Sequence, residues 1–293
     1  MIGIGPFPMK TAAVITAAVL ARIVARYALR ASDVTSRRAG AGVLLDALAV
    51  GLFTARAVYV VRWWPDYAVS PASMIALGDG GFDVWAGVGA AFAWALWRTR
   101  RHRTQRRPMV AGMAAGLAIW GVMHVGLTFM LREAPPLPAL TLMDVAGRPV
   151  SLDTHRGKPI VMNLWASWCP PCRREMPVLA QAQADYPDVR FLMINQGETA
   201  NTVEAFVTSQ GLTFDHLLLD PESQAMRAVE TRALPTTLYF DAHGRLVDAH
   251  LGELTAARLR DALDDLRRQT SRSTPPAAVS TSQASPASSP SKE

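Results

Sequence analysis

The chain has 293 residues, which suggests about two domains, and half of its residues are hydrophobic, a high share for a purely soluble chain. The net charge is +6, and much of the basic excess lies in RTRRHRTQRRP at 98–108. That run lies between apolar stretches, so it indicates a cytoplasmic loop rather than a nucleic-acid site. Two cysteines exclude a disulfide scaffold and a four-cysteine zinc site, and the six histidines are too scattered for a two-cysteine, two-histidine site.

Residues 1–132 have the pattern of an α-helical membrane domain with about four transmembrane helices. The apolar segments lie at 11–29, 40–61, 82–97 and 109–131. A spanning helix needs about 20 mostly apolar residues, which the second and fourth segments provide. The third is short, and the first carries two arginines that can snorkel to a membrane face.

The distribution of charge predicts how these segments are oriented. The loops at 30–39 and 98–108 are rich in arginine, and such loops stay in the cytoplasm. The loop at 62–81 holds two aspartates, one arginine and a cluster of interfacial aromatic side chains, so we expect it outside. Everything after residue 132 is then outside as well. A cleaved N-terminal signal peptide is the alternative, and it would turn the basic loops outward.

The rest of the chain divides into three parts. They are a linker at 133–137, a compact segment at 138–269 and a Ser/Pro/Ala-rich tail at 270–293. The tail cannot bury enough apolar surface to fold, so we expect it to be disordered.

The compact segment alternates between strand and helix patterns. Buried or paired strands are predicted at 159–166, at 189–195 and twice within 236–252, around a turn near His243 and Gly244. Helical patterns lie at 171–186, 200–210, 221–229 and 254–268. This order predicts an α/β domain with a central mixed sheet covered by helices.

Both cysteines, Cys169 and Cys172, lie in NLWASWCPPCRREMP, where a buried strand should end and a helix begin. The N-terminus of a helix favours thiolate over thiol, and the thiolate is the attacking species in disulfide exchange. Cys172 lies one helical turn further on, close enough to resolve a mixed disulfide. Pro170 and Pro171 suit a helix start but remove two N–H donors, so the sequence leaves the reduction potential open.

The segment WASWCPPC resembles the active-site segment of thioredoxins, and LPTT at 234–237 resembles the other half of that signature. Residues 138–269 as a whole resemble the TlpA/ResA/CcmG-like branch, the membrane-anchored periplasmic thiol–disulfide oxidoreductases of the thioredoxin superfamily. Asn163, where thioredoxins proper usually carry a buried aspartate, and Glu175 carry this closer likeness. The resemblance implies a thioredoxin-like fold and a cis Pro235 facing the cysteines.

The resemblance also implies that Glu175 takes a proton from Cys172 during resolution, whereas position alone equally allows a solvated glutamate. Arg173 and Arg174 either raise the thiolate character of the pair or form a solvated helix face. His216 and His243 are expected to be ordinary surface or strand residues. The nearby methionines are expected to pack in the core; they are Met162, Met176 and Met193.

Part of the membrane half, at 53–61 and 78–91, resembles prolipoprotein diacylglyceryl transferase. The matching residues are Ala55, Arg56, Tyr59, Gly80 and Gly81. Trp85 stands where the catalytic histidine of that family would fall, and the later catalytic segment has no counterpart. The resemblance therefore implies a degenerate lipid-binding or partner-docking domain. His124, in the last predicted span, is either functional or a neutral histidine bonded to a neighbouring helix.

Together these features predict a disulfide reductase of the bacterial inner membrane, with its thioredoxin-like domain in the periplasm and no cofactor. Cys169 attacks, Cys172 resolves, Pro235 positions the substrate backbone and Glu175 moves the proton. Expected substrates are oxidised exported proteins such as apocytochrome c or copper-site proteins. The resemblance implies a DsbD/CcdA-type electron donor and contact with membrane lipid. A dithiol oxidase and a copper-binding chaperone that uses the two thiols remain alternatives.

Overall fold

The computed structural model describes residues 3–4, 7–8, 34–69, 71–75, 79–100, 110–111, 113–122, 125–126 and 136–273. These residues form a helical part, which includes 34–69, 71–75 and 79–98, and a sheet-based part at 136–273. Near the N-terminus, two short strands, β1 (Gly3–Ile4) and β2 (Phe7–Pro8), pair antiparallel.

Two helices pack side by side in the helical part. The elements are α1 (Val34–Arg62), α2 (Trp64–Val69), a 3-10 helix (Pro71–Ile75) and α3 (Val84–Arg98). α1 and α3 meet closely at Gly51 and Gly87, where a Cβ added to Gly87 would lie 2.8 Å from the Gly51 carbonyl oxygen. Glycine at both positions therefore permits the close helix approach.

Among the residues that the structure describes, no helix combines the length and the apolar character needed to cross a membrane. The predicted segment 40–61 lies within α1, and 82–97 overlaps α3. The 15 residues of α3 extend about 22 Å, less than the ~30 Å of a bilayer core. The segment 11–29 lies outside the described residues, and 109–131 is described only in part. Four spans therefore stay a prediction.

The sheet-based part is built on a seven-stranded sheet with the order β4-β3-β7-β6-β5-β8-β9. The strands are β3 (Thr141–Asp144), β4 (Pro149–Ser151), β5 (Ile160–Trp165), β6 (Arg190–Gln196), β7 (His216–Asp220), β8 (Thr236–Phe240) and β9 (Leu246–Leu251). β5, β6 and β7 are parallel, whereas the remaining pairs are antiparallel. The predicted mixed sheet is confirmed; β3, β4 and β7 are not among the predicted strands.

Helices follow the strands at the predicted places. They are α4 (Pro170–Asp185), α5 (Ala200–Ser209), α6 (Gln224–Ala228) and α7 (Ala256–Ser273), with a 3-10 helix at Leu152–His155. α7 runs past residue 270, where the tail was predicted to begin, and 274–293 lie outside the described residues. Leu137, at the end of the predicted linker, is buried, and its N–H donates to the Gly244 carbonyl oxygen at 2.7 Å.

The side chains of β5 alternate between two apolar cores on opposite faces of the sheet. Val161 and Trp165 join the core that contains residues of α4 and α7. Ile160, Met162 and Leu164 join the other core, which contains residues of α6. Asn163 faces the same side of the sheet as Val161 and Trp165, so its polar side chain points toward α4.

Candidate active site

The cysteine pair lies at the turn from β5 into α4. Cys169 is the N-cap residue, with φ −89° and ψ 107°, and α4 begins at Pro170. The N–H groups in the first turn of a helix have no intrahelical partners and are free to bind a thiolate, but Pro170 and Pro171 have no backbone N–H. The first available donor is the Cys172 N–H, and it points at Cys169 Sγ with an N···S distance of 3.3 Å. One helical donor therefore remains to stabilise a Cys169 thiolate.

The two cysteines are joined by a disulfide, and their Cα atoms are 5.3 Å apart. Cys172 is fully buried, whereas Cys169 keeps 4% of its surface exposed. Trp168, directly before Cys169, is 67% exposed. An incoming sulfur therefore has access to Cys169 before Cys172, next to a large exposed aromatic surface.

Glu175 lies one turn after Cys172 on α4 and is 1% exposed, so it is not the solvated residue that position alone allowed. Asn163 Nδ2 donates to its Oε1 at 2.8 Å, and the Leu254 N–H donates to its Oε2 at 2.8 Å. Asn163 Nδ2 also donates to Thr237 Oγ1 at 2.9 Å. The carboxyl is thus held between β5, β8 and the segment before α7.

Burial disfavours the charged form of this carboxyl and raises the pKa of Glu175 to about 8. The hydrogen bonds from Leu254 and Asn163 act in the opposite direction, and the negative charge of Glu253 adds to the rise. A pKa in this range lets the group exchange a proton near neutral pH, as a general acid or base must.

Pro235 is buried and follows a cis peptide bond from Leu234, as the resemblance implied. It directly precedes β8, whose Thr236 lies opposite Leu164 of β5. This register puts Pro235 at the end of β5 that leads into the cysteine turn. Its carbonyl oxygen already accepts the Gly252 N–H at 2.9 Å.

Glu198 is a site residue that the sequence did not single out. Its carboxylate accepts hydrogen bonds from the Ser167 N–H at 2.7 Å, from Ser167 Oγ and from Asn195 Nδ2 at 2.7 Å. Ser167 lies two residues before Cys169, so Glu198 ties the loop after β6 to the cysteine turn. Two of these donors approach a charged acceptor from different segments, which fixes the turn more firmly than neutral hydrogen bonds would.

The two arginines after Cys172 are engaged elsewhere. Arg174 forms an exposed salt bridge with Glu253 at 2.6 Å. The Arg173 guanidinium lies over the Phe206 ring, 5.5 Å from its centroid. These contacts favour the solvated-face interpretation over a direct effect on the sulfurs.

The remaining singled-out residues have structural positions. The three methionines are fully buried in the cores, as predicted. His216 stacks edge-on against His155 with ring centroids 4.5 Å apart. Within the described ranges, no three His, Cys, Asp or Glu side chains group as a metal site would require. His124 lies outside the described residues.

The residues that resemble the transferase converge around one arginine. Arg56 forms a salt bridge with Asp79 at 2.9 Å and donates to the Gly81 carbonyl oxygen at 2.8 Å. A Cβ on Gly81 would lie 2.4 Å from the Tyr59 ring, so this position has no room for a side chain. Trp85 is exposed and packs edge-on against Trp120.

Comparisons with known proteins concern the sheet-based part. Residues 134–249 match the AhpC/TSA family. The thiol–disulfide oxidoreductase ResA of Geobacillus thermodenitrificans is 33% identical over 132 residues, covering 44% of this chain and 75% of the relative. ResA of Bacillus subtilis is 29% identical over 150 residues, covering 50% and 83% of the two chains.

Among solved structures, a thiol:disulfide interchange protein of the thioredoxin family from Chlorobium tepidum aligns with a TM-score of 0.41 and 26% identity. The alignment covers 45% of this chain and 96% of that one. The family match begins at residue 134, so the resemblance of residues 53–91 to prolipoprotein diacylglyceryl transferase stays a prediction.

Proposed function

This chain belongs to the family of the ResA thiol–disulfide oxidoreductases, and on that premise we propose that it is a membrane-attached reductase of disulfides in exported proteins. The observation that carries the proposal is the pairing of Cys169, which keeps 4% of its surface exposed, with a fully buried Cys172, one helical turn from a carboxyl whose pKa is raised to about 8. A cysteine pair alone would serve a structural bridge equally well. A buried carboxyl that can take a proton from Cys172 is needed for thiol–disulfide exchange but not for a structural disulfide.

The proposed cycle starts from the reduced pair. The Cys169 thiolate attacks one sulfur of a substrate disulfide, forms a mixed disulfide and releases the other substrate sulfur as a thiolate. Cys172 then gives its proton to Glu175 and attacks Cys169 Sγ, which releases the second substrate thiolate. Two electrons pass to the substrate, and the Cys169–Cys172 disulfide seen in the structure is the product.

Glu175 can hold the proton that this step delivers. Asn163 Oδ1 is buried and lacks a hydrogen-bond partner among the described residues. Rotation of the Asn163 amide by half a turn would present this oxygen to a protonated Glu175. The side chain at 163 can thus serve the carboxylate through its NH₂ group and the carboxylic acid through its oxygen.

Residues 1–132 are proposed to hold the enzyme in the bacterial inner membrane with the sheet-based part in the periplasm. The arginine-rich loops at 30–39 and 98–108 support this orientation. It is also supported by the ion pair between Asp66 and Arg260 of α7, because the loop at 62–81 is expected on the same side of the membrane as α7. Apocytochrome c and copper-site proteins are the proposed substrates, and a DsbD/CcdA-type membrane protein is the proposed donor.

Trapping of the mixed disulfide tests the activity. In cells that produce the full chain, Cys172→Ala should accumulate mixed disulfides through Cys169, and mass spectrometry after reduction identifies the partners. The double variant Cys169→Ala/Cys172→Ala is the control and should trap nothing. Absence of any Cys169-dependent species would contradict thiol–disulfide exchange.

The direction of electron flow needs a separate measurement. The reduction potential of the pair, equilibrated against glutathione, should lie well below that of a strong dithiol oxidant. A potential of about −120 mV would instead indicate an oxidase.

A further inference from the structure

A buried ion pair holds the end of α1 to the segment between α2 and α3. Arg56 Nη1 lies 2.9 Å from Asp79 Oδ1, and the two residues are 8% and 2% exposed. Tyr67 OH donates to Asp79 Oδ2 at 2.8 Å. Arg56 also donates to the carbonyl oxygens of Ser73, Met74 and Gly81. Because loss of either charge would leave the other buried and unpaired, disruption of this cluster should strongly destabilise the helical part.

The cluster contacts the sheet-based part at residues 253–257, the segment that leads from β9 into α7. Thr255 Oγ1 donates to Asp79 Oδ2 at 3.4 Å. Tyr59 OH donates to the Ala257 carbonyl oxygen at 3.4 Å, and Ala257, 1% exposed, packs with Tyr59 and Tyr67. The Ala257 methyl group packs against Tyr59 and Tyr67, and the Thr255 hydroxyl donates to the buried Asp79 carboxylate. These two contacts join the helical part to the sheet-based part.

An ion pair at the edge of this contact adds a third link. Arg260 of α7 lies 3.1 Å from Asp66, whose side chain is 8% exposed. A cavity of about 120 Å³ lies between the parts and is lined from both sides, by Tyr67 and Asp66 as well as by residues 253–257.

The same short segment contacts the active site on its other side. The Leu254 N–H is the donor that holds Glu175 Oε2 at 2.8 Å, and Glu253 pairs with Arg174 of α4. Leu254 is anchored in the core beside α4 and α7. Adjacent residues therefore face in two directions, Leu254 toward the proton acceptor and Thr255 toward the buried Asp79.

We propose that residues 56–67 and Asp79 are a positioning element of the thiol–disulfide site, which holds residues 253–257 in place and thereby keeps the Leu254 N–H on the Glu175 carboxylate. The helical part then does more than tether the enzyme. The inference rests on the proposed function, because it assigns Glu175 a role in exchange.

Weakening the contact of residues 253–257 with the helical part should change the pKa of Glu175. The Leu254 N–H stabilises the charged carboxylate, so its withdrawal moves the pKa of Glu175 further upward. The other groups that act on Glu175 are Asn163, which also donates to it, and Glu253, whose negative charge opposes its ionisation. Asn163 lies on β5, away from the contact, so its hydrogen bond should stay constant. Glu253 is part of the segment at 253–257, but its salt bridge with Arg174 of α4 keeps its charge near Glu175.

The test uses the purified full chain and two independent readouts. The first is hydrogen exchange of the peptide that contains Leu254. The second is the pH midpoint of exchange between the reduced enzyme and oxidised glutathione, used as the disulfide probe. Arg260→Asp places two acids together at the contact. We expect exchange at residues 253–257 to quicken on the order of fivefold and the pH midpoint to rise.

The charge-swapped double variant Asp66→Arg/Arg260→Asp should restore both values. Arg268→Asp, which reverses an exposed charge near the other end of the same helix, is the matched control and should change neither. Ala257→Leu should disrupt the contact more strongly than Arg260→Asp, because a leucine side chain is too large for the space that Ala257 occupies beside Tyr59 and Tyr67.

The proposal would be overturned if hydrogen exchange of the Leu254 N–H were unchanged in both Arg260→Asp and Ala257→Leu. Faster hydrogen exchange at Leu254 with an unchanged pH midpoint of disulfide exchange would overturn it as well, because the contact with the helical part would then not act through Glu175. If the wild-type chain exchanges no disulfides at all, the proposed function fails, and hydrogen exchange alone still decides whether residues 56–67 and Asp79 hold the segment in place.

Discussion

Replacement of Glu175 by glutamine should change how the stability of the protein depends on pH. The ordinary carboxyl pKa of 4.5 is raised to about 8 in the folded, oxidised protein. Between these values the folded state holds a proton that the unfolded state has lost, so stability falls as pH rises through this window. A difference of about 3.5 pKa units corresponds to about 5 kcal/mol by pH 8 and above.

Glu175→Gln cannot ionise, so this loss should disappear. Below pH 5 the variant should be less stable than the wild type by about 1–3 kcal/mol, because its NH₂ group has two hydrogens to satisfy where the protonated carboxyl has one, and a rotated Asn163 offers one oxygen for them. Above pH 8 the order should reverse. The two curves of stability against pH should therefore cross.

Urea unfolding of the oxidised full chain, followed by tryptophan fluorescence from pH 4.5 to 9, measures this crossing. The difference between variant and wild type cancels the contribution of every other titrating group. Parallel curves, with the same slope for glutamate and glutamine at position 175, would refute the assignment of a raised pKa to this carboxyl.

Three further predictions concern single side chains. Glu198→Gln should slow disulfide exchange on the order of tenfold, because a neutral amide holds the cysteine turn less firmly, while exposed Glu204→Gln on α5 should have no effect. Burial lowers the pKa of His155 to about 4, so stability on the order of 3 kcal/mol should be lost as pH falls from about 6.5 toward 4, and His155→Gln should remove that loss in acid unfolding curves. Trp168→Ala should raise KM for a protein disulfide on the order of tenfold with unchanged kcat, and a fall in melting temperature instead would mean that the indole supports the fold rather than the substrate.

The sequence predicted the strands that carry long apolar runs and missed those that do not. β5 and β6 are buried almost throughout, so their runs stand out. β3 and β4 form an antiparallel hairpin at one end of the sheet with mixed exposure, and Met143 even points its apolar side chain outward. Such short strands are defined by their pairing partners, β4 and β7 in the case of β3, rather than by their own periodicity.

The site was predicted where its residues are neighbours in sequence and missed where distant segments meet. Cys169, Cys172 and Glu175 lie within seven positions of the chain and share one helix start. Glu198 reaches Ser167 across 31 residues. A usable signal existed, because β5 and β6 are parallel neighbours and their following loops emerge at the same edge.

The burial of Arg56 and Asp79 was beyond sequence reasoning for a related cause. The two residues are 23 positions apart and pair only because α1, α2 and the turn before α3 fold onto one another. The sequence puts Arg56 inside the predicted apolar segment 40–61 and Asp79 in the loop at 62–81, so only the tertiary structure reveals the pair.

The segment at 253–257 limits how freely the two parts of this protein can be exchanged as modules. A chimaera that joins these helices to the sheet-based part of a relative would have to bring Thr255, Ala257 and Arg260 along, since these side chains meet the helical part. The boundary that matters for such grafting is therefore not the linker near residue 135. It runs through the last loop of the domain, more than a hundred residues later in the chain.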